Sequence, residues 1–364
     1  MKVPYLSLNQ QWSDIRKEAL LLIDEVLSTG KYLEHDIVSS LEVDLAAKLG
    51  MKHVVLVNSG TDALMLGLYS LGIKKNDEVI TVPNSFIASV AAIQHVGAVP
   101  KMVDVGPDHL IDVSQIESAI TSKTRAIMPV HLEGKVCQMS KIMEVANRHN
   151  LLIIEDVAQA FGSKFAGNMA GTFSDVSCFS LHPLKNLNAC GDGGFVATNN
   201  SEVADRIKVL RNHGQAERNS SLEFGFVSRF DSIQAAILHI RLKNLDQVIA
   251  QRRENARFYD LAFKGSAVVT PIVDNEVFHT YHTYSVEMKN RDGVREKLTK
   301  QGIDTRIHYP RLISEQKAFI DKFGSISEMT PNAIRQKERI LSIPIHAHLT
   351  RNELEYVAEQ LLLA

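Results

Sequence analysis

The chain has 364 residues, 45% of them hydrophobic, and its 40 basic and 42 acidic side chains leave a formal charge of −2. That length predicts a large domain plus a smaller one, and a near-neutral total without a dense Lys/Arg run gives no sign of a polybasic nucleic-acid or membrane surface. Cys137, Cys178 and Cys190 are odd in number and lack CxxC spacing, which argues against a disulfide scaffold and a zinc site.

The N-terminus lacks the apolar core of a signal peptide, and no run approaches the ~20 apolar residues of a membrane span. The expectation is a cytoplasmic enzyme. Ile15, Ala19, Leu22, Ile23, Val26 and Leu27 predict a first helix over 14–28, capped by Ser13 and ended by Gly30. From 53 onward, apolar strands alternate with helices. Strands are predicted at 53–57, 78–82, 101–105, 126–130, 151–155, 176–180 and 195–198. The helices between them are predicted at 61–71, 86–95, 113–120 and 139–149. Continuous apolar strands separated by helices predict a mostly parallel sheet covered on both faces. Such sheets bind ligands beyond their carboxyl ends. A long helix over 232–263 links to a smaller α+β unit with strands at 281–287 and 304–308 and helices at 294–301 and 352–362. The predicted division is 1–245 and 246–364.

The chemistry-bearing residues follow the predicted strands. Asn58-Ser59-Gly60-Thr61 opens a helix, where free N–H groups and small hydroxyls suit a phosphate. Asp156 ends the run Leu-Leu-Ile-Ile-Glu-Asp, in a position to hold a protonated pyridine nitrogen. Gln159 follows three residues later. Lys185, in Ser180-Leu-His-Pro-Leu-Lys-Asn, sits just past a strand, where burial would free its amine for nucleophilic attack. Phe86 could stack on a flat ring. Each feature alone is ordinary: a cap, a solvated lysine, a core aromatic. Their convergence on one sheet edge points to a pyridoxal-phosphate enzyme. The Gly191-Asp-Gly-Gly turn is no dinucleotide fingerprint, because it leads into a strand and not a helix.

With these residues in place, the sequence resembles the sugar aminotransferases of the DegT/DnrJ/EryC1/StrS type. The matching stretches are NSGTDAL (58–64), GIKKNDEVITVPNSFIAS (72–89), PVHLEG (129–134), the run 153–186, GDGG (191–194), RNHGQ (211–215), SRFDSIQAAIL (228–238) and IHYP (307–310). The resemblance implies an α/β fold of the aspartate-aminotransferase type (fold type I) and a homodimer with shared active sites. It implies pyridoxal 5'-phosphate, cycling through pyridoxamine 5'-phosphate, as cofactor. It casts Lys185 as the Schiff-base lysine, Asp156 as the pyridinium partner, and Gln159 as the neighbour of the ring oxygen. Ser59, Gly60, Thr61 and Ser180 would bind the phosphate, and Phe86 would stack on the ring. Arg229 would lie in a loop reaching the partner's active site, with His308 and Tyr309 near the substrate. Relatives that dehydrate sugars carry histidine at the lysine position, so Lys185 implies a transaminase moving nitrogen from L-glutamate, with 2-oxoglutarate released, to a nucleotide-linked 3-keto or 4-keto deoxysugar. A lyase or dehydratase, or a non-catalytic regulator on the same scaffold, is the competing expectation. Val227, Glu133, Phe161, Asn188, His35-Asp36 and Arg311-Leu-Ile depart from the family pattern.

Overall fold

The strands assemble into a seven-stranded sheet in a computed structural model that describes residues 1–33 and 35–364. Its members are β1 (His53–Val57), β2 (Glu78–Thr81), β3 (Val99–Met102), β4 (Thr124–Ile127), β5 (Leu152–Asp156) and, beyond the short hairpin β6 (Lys164–Phe165) and β7 (Asn168–Met169), β8 (Val176–Ser180) and β9 (Gly194–Thr198). The order is β1-β9-β8-β5-β4-β2-β3. From β8 to β3 every pairing is parallel, and only β9 runs against its neighbours.

Both faces are apolar because successive side chains alternate. On β1, Val54 and Leu56 enter one core while Val55 and Val57 enter the other; on β5, Ile153 and Ile154 divide in the same way. Helix α1 (Leu8–Ser28) packs outside on the long helix described below. On one face of the sheet lies α2 (Asp36–Leu49). The opposite face takes α3 (Gly60–Ser70) and α4 (Ala88–His95). The first face is completed by α5 (Val113–Ala119) and α6 (Met139–His149), and the second by α7 (Ser201–Leu210).

Helix α8 (Ser232–Ala262) joins two cores. Its first half buries Ile237 and Ile240 against Ile15 and Ala19 of α1. Its end contributes Ala256, Tyr259 and Phe263 to a separate cluster. That cluster also holds Tyr284 and Val286 of β13 (Tyr284–Glu287), Leu341 and Ile343 of β14 (Ile340–Ile343), and the apolar faces of α9 (Arg291–Lys300) and α12 (Arg351–Leu362). The pairs β10 (Gln215–Glu217) with β11 (Ser220–Ser221) and β12 (Val277–Phe278) with β6 complete the strands. Helices α10 (Lys317–Phe323) and α11 (Pro331–Arg339) return to the large sheet's side, where Phe319 meets Val90 and Met102. Among the described residues, no helix is long and apolar enough to cross a membrane.

The structure corrects several boundaries. Helix α1 begins at Leu8 and not at 14, after Ser7 and not Ser13, because its first turn is polar and carries no apolar period. Helix α2 was not predicted, although Val38, Leu41, Leu45 and Leu49 recur at helical spacing and are buried. Strand β3 lies two residues earlier than predicted; it includes Pro100, tolerated because β3 is a sheet edge that need not donate at that position. Strand β4 also starts earlier, at Thr124. The strand predicted at 304–308 is reduced to isolated bridges at Ile303 and Arg306. Helix α4 starts at Ala88, which leaves Phe86 in the preceding loop.

Candidate active site

Loops following β1, β2, β4, β5 and β8 meet at the carboxyl edge of the sheet. Strand β5 brings two neighbouring carboxylates there, and its two-residue period sends them to opposite faces. Glu155 is fully buried and accepts from His131 Nε2 (2.8 Å), Gly171 N–H (2.9 Å), Phe173 N–H (2.9 Å) and Ser174 Oγ (2.8 Å). Its oxygens are spent on holding loops in place. Asp156 is buried too, but keeps fewer partners. Ser89 Oγ donates to Oδ2 at 2.8 Å and Ala158 N–H to Oδ1 at 3.1 Å. Burial pushes its pKa up; the Ser89 and Ala158 donors and the positive charge of Lys185 offset only part of that rise.

Lys185 stands in the turn after β8, fixed by its own N–H to His182 O at 2.8 Å. Desolvation lowers its ammonium pKa to about 8, against the pull of Asp156, which favours the charged form. The floor of the site therefore holds a carboxylate that wants a cationic partner and an amine that sheds its proton readily. Beside the lysine, Asn186 is buried with both amide atoms unpartnered among the described residues.

The start of α3 lies at the same edge. Ser59 caps the helix by accepting from Asp62 N–H at 3.0 Å. The helix opens with Gly60 and Thr61, whose N–H groups precede the first intrahelical acceptor. Gly60 abuts Ser180 so closely that an added Cβ would lie 2.7 Å from the serine Cβ, and Gly194 likewise packs on the Ser59–Gly60 peptide. Close approach without side chains, a dipole end and two hydroxyls make an anion cradle. Arg229 lines a cavity of about 430 Å³ with Asn58, Ser59 and Asp62. Its Nη1 donates to Asn212 Oδ1 at 3.3 Å, while its buried Nε has no partner among the described residues.

Above the floor, Phe86 is 55% exposed, with its ring centroid 5.9 Å from that of Tyr309. The Tyr309 hydroxyl accepts from Gln159 Nε2 at 3.1 Å, and Gln159 Oε1 accepts from the Glu133 N–H at 2.8 Å. His308, joined to Tyr309 by a cis peptide, meets Ser342 Oγ at 3.0 Å. Burial lowers its pKa to about 4, so it is neutral.

The structure thus groups Asp156 with Lys185, Ser59, Gly60 and Thr61 with Ser180, and Gln159 with Phe86 and Tyr309. His308 turns toward β14, and Arg229 lies by the α3 cap of its own chain. Sequence reasoning missed Ser89, in the first turn of α4, whose hydroxyl lies 2.9 Å from that of Ser85 in the loop before it. It also missed Asn186 and the charged partners of Glu133. Among the described residues no cluster of His, Cys, Asp and Glu could hold a metal ion.

The profile of the DegT/DnrJ/EryC1/StrS aminotransferase family matches residues 13–362. A pleiotropic regulatory protein of Geobacillus stearothermophilus is 36% identical, over 99% of this chain and 98% of that protein. The dTDP-3-amino-3,4,6-trideoxy-alpha-D-glucose transaminase of Streptomyces venezuelae is 38% identical, over 96% of this chain and 93% of that enzyme. The crystal structure of NtdA from Bacillus subtilis, with bound cofactor PMP, superposes with a TM-score of 0.92 at 33% identity, covering 99% of this chain and 84% of that one.

Proposed function

This chain belongs to the DegT/DnrJ/EryC1/StrS aminotransferase family, and we propose that it transfers the amino group of L-glutamate to a nucleotide-linked keto-deoxysugar, at C-3 in preference to C-4. It is an aminotransferase with the fold of the pyridoxal-phosphate sugar aminotransferases. The observation that carries the proposal is the pairing of Asp156 and Lys185 on the floor, a buried carboxylate facing an amine whose pKa falls to about 8.

The residues fit pyridoxal 5'-phosphate. The cradle at Gly60 has no room for a Cβ yet presents the N–H groups of α3, Ser59 and Ser180, which suits a phosphate. Asp156, with two donors and an unfavourable burial, would hold a protonated ring nitrogen; Phe86 would cover the ring. When bound, the cofactor supplies an aldehyde or amine for nitrogen exchange and a ring that accepts electrons.

The protein's part is proton and orientation work. The low pKa of Lys185 keeps a fraction of it neutral near pH 7, so its Nζ can take a proton from the donor's Cα and return it to the acceptor. Ser89 holds the Asp156 carboxylate in place. Gln159 fixes Tyr309 at the opening, where the sugar would enter. Arg229, whose buried Nε beside the α3 cap has no partner among the described residues, would meet a phosphate oxygen. The exposure of Phe86, Leu184, Val227 and Phe224 around this edge supports a homodimer that covers it. The name of the Streptomyces relative, a 3-amino sugar transaminase, favours C-3. The test is incubation of the holoenzyme with L-glutamate and, separately, dTDP-linked 3-keto and 4-keto deoxysugars. Release of 2-oxoglutarate and a new C-3 amine by NMR is the expected result; turnover without 2-oxoglutarate would point instead to a lyase or dehydratase.

A further inference from the structure

Two buried residues other than glycine adopt the left-handed backbone conformation and meet through their side chains: His109 (φ 69°) and Glu133 (φ 65°). Such conformations are strained for residues with a Cβ and persist where the surroundings enforce them. Glu133 stands where the family resemblance has tyrosine. Its carboxylate is bracketed by His109 Nδ1 at 3.2 Å and Lys135 Nζ at 2.8 Å. The other imidazole nitrogen, Nε2, lies 2.9 Å from Glu287 Oε1 on β13. A neutral imidazole has one donor and one acceptor. With a carboxylate at each nitrogen, only imidazolium can donate to both.

The surroundings agree. From the large-sheet side, Glu133 and Lys135 face His109, with the Asp108 carbonyl accepting from Lys135. From β13 comes Glu287, which Arg335 and Arg339 of α11 also favour as carboxylate. Lys337, His308 and Tyr309 share a small cavity with His109. Burial opposes the charge on His109, but Glu133 and then Glu287 raise its pKa above the ordinary value. Glu133 also reaches the site through its backbone, since its N–H orients the Gln159 amide whose Nε2 donates to Tyr309.

We propose that Glu133 and protonated His109 are positioning residues that tie the loop carrying Glu133 to β13 and thereby set the Gln159–Tyr309 hydrogen bond at the mouth of the site, tuning binding of the amino acceptor. The acceptor arm of the test rests on the function proposed above, whereas the titration arm needs no turnover. In full-length protein labelled at histidine, the His109 ring titrates by NMR above the ordinary ~6.5, and Glu287→Gln brings it down. A folded pKa above the unfolded one means stability that is full below about pH 6.5 and lost as pH rises through the folded value. The Tm gap between wild type and Glu287→Gln therefore narrows from pH 6 to pH 9. With glutamate and the keto-sugar, Glu133→Gln raises the acceptor KM about tenfold, the equivalent of one hydrogen bond, leaves kcat nearly unchanged, and flattens the rise of KM with pH. Glu133→Asp restores part of the KM. An ordinary His109 pKa, or an acceptor KM and pH profile identical to wild type in Glu133→Gln, overturns the proposal. If Glu133→Gln does not fold, the Glu287→Gln titration decides alone.

Discussion

At the floor of the site, Asp156 and Lys185 hang from the ends of β5 and β8, strands paired to one another within the sheet's interior. At the rim, Glu133, Gln159, His308 and Tyr309 come from irregular segments, two of them in uncommon backbone states. The floor places Asp156 by the register of β5 and Lys185 by the hydrogen-bonded turn after β8, and uses desolvation to shift their protonation. The rim places its groups by side-chain hydrogen bonds and ion pairs that cross from the large sheet to β13. The lesson is that the groups proposed to do the chemistry are set by regular structure at or near strand ends, while those proposed to meet the amino acceptor rest on contacts a single substitution can reset.

That contrast makes ordered predictions. Lys185→Ala removes the proton carrier and lowers transamination by at least 10²–10⁴-fold, read as 2-oxoglutarate release. Asp156→Asn keeps the shape but loses the charge; a charge-assisted hydrogen bond of roughly 1.5–3 kcal/mol predicts a drop of about 10–100-fold in kcat for every acceptor tested. Gly60→Ala forces a Cβ against Ser180 and costs roughly 1–3 kcal/mol as local strain, seen as weaker retention of the cofactor on dialysis. The pH dependence of Lys185 is a subtler check. Because its pKa is depressed to about 8, the rate at which apoprotein captures pyridoxal phosphate rises through pH 8 and levels off; a rise continuing toward the ordinary lysine value near ~10.4 would break the account of the floor. At the rim, Tyr309→Phe loses only the bond from Gln159 and raises the acceptor KM by about three- to tenfold, with the glutamate half-reaction unaffected. If rim variants damage the glutamate half-reaction as much as floor variants do, the division between the two regions fails.

The legibility of the sequence follows the same line. The strand ends at Asp156 and Ser180 could be read from apolar runs, because a strand buried on both faces leaves a plain signal. The first residues of α3 were visible from the small polar cluster 58–61 ahead of a helical pattern. Helix α2 was missed although its buried Val38, Leu41, Leu45 and Leu49 carry the period, since the segment lies between two better-marked elements. The strand expected at 304–308 failed because β14 pairs with β13 and reaches Arg306 by a single bridge, a choice made by long-range packing. The His109–Glu133–Glu287 cluster joins positions far apart in the chain; nothing local announces it. Glu133 stood out only as a departure from the resemblance, and its partners needed the fold.

The central claim is that one amine, set against a buried carboxylate, carries the cofactor. Sodium borohydride reduction of the holoenzyme followed by peptide mass mapping tests it directly. The account predicts the cofactor's mass added to the peptide containing Lys185 and to no other lysine. A label on a different lysine, or an unmodified Lys185 peptide in fully reconstituted enzyme, would contradict it.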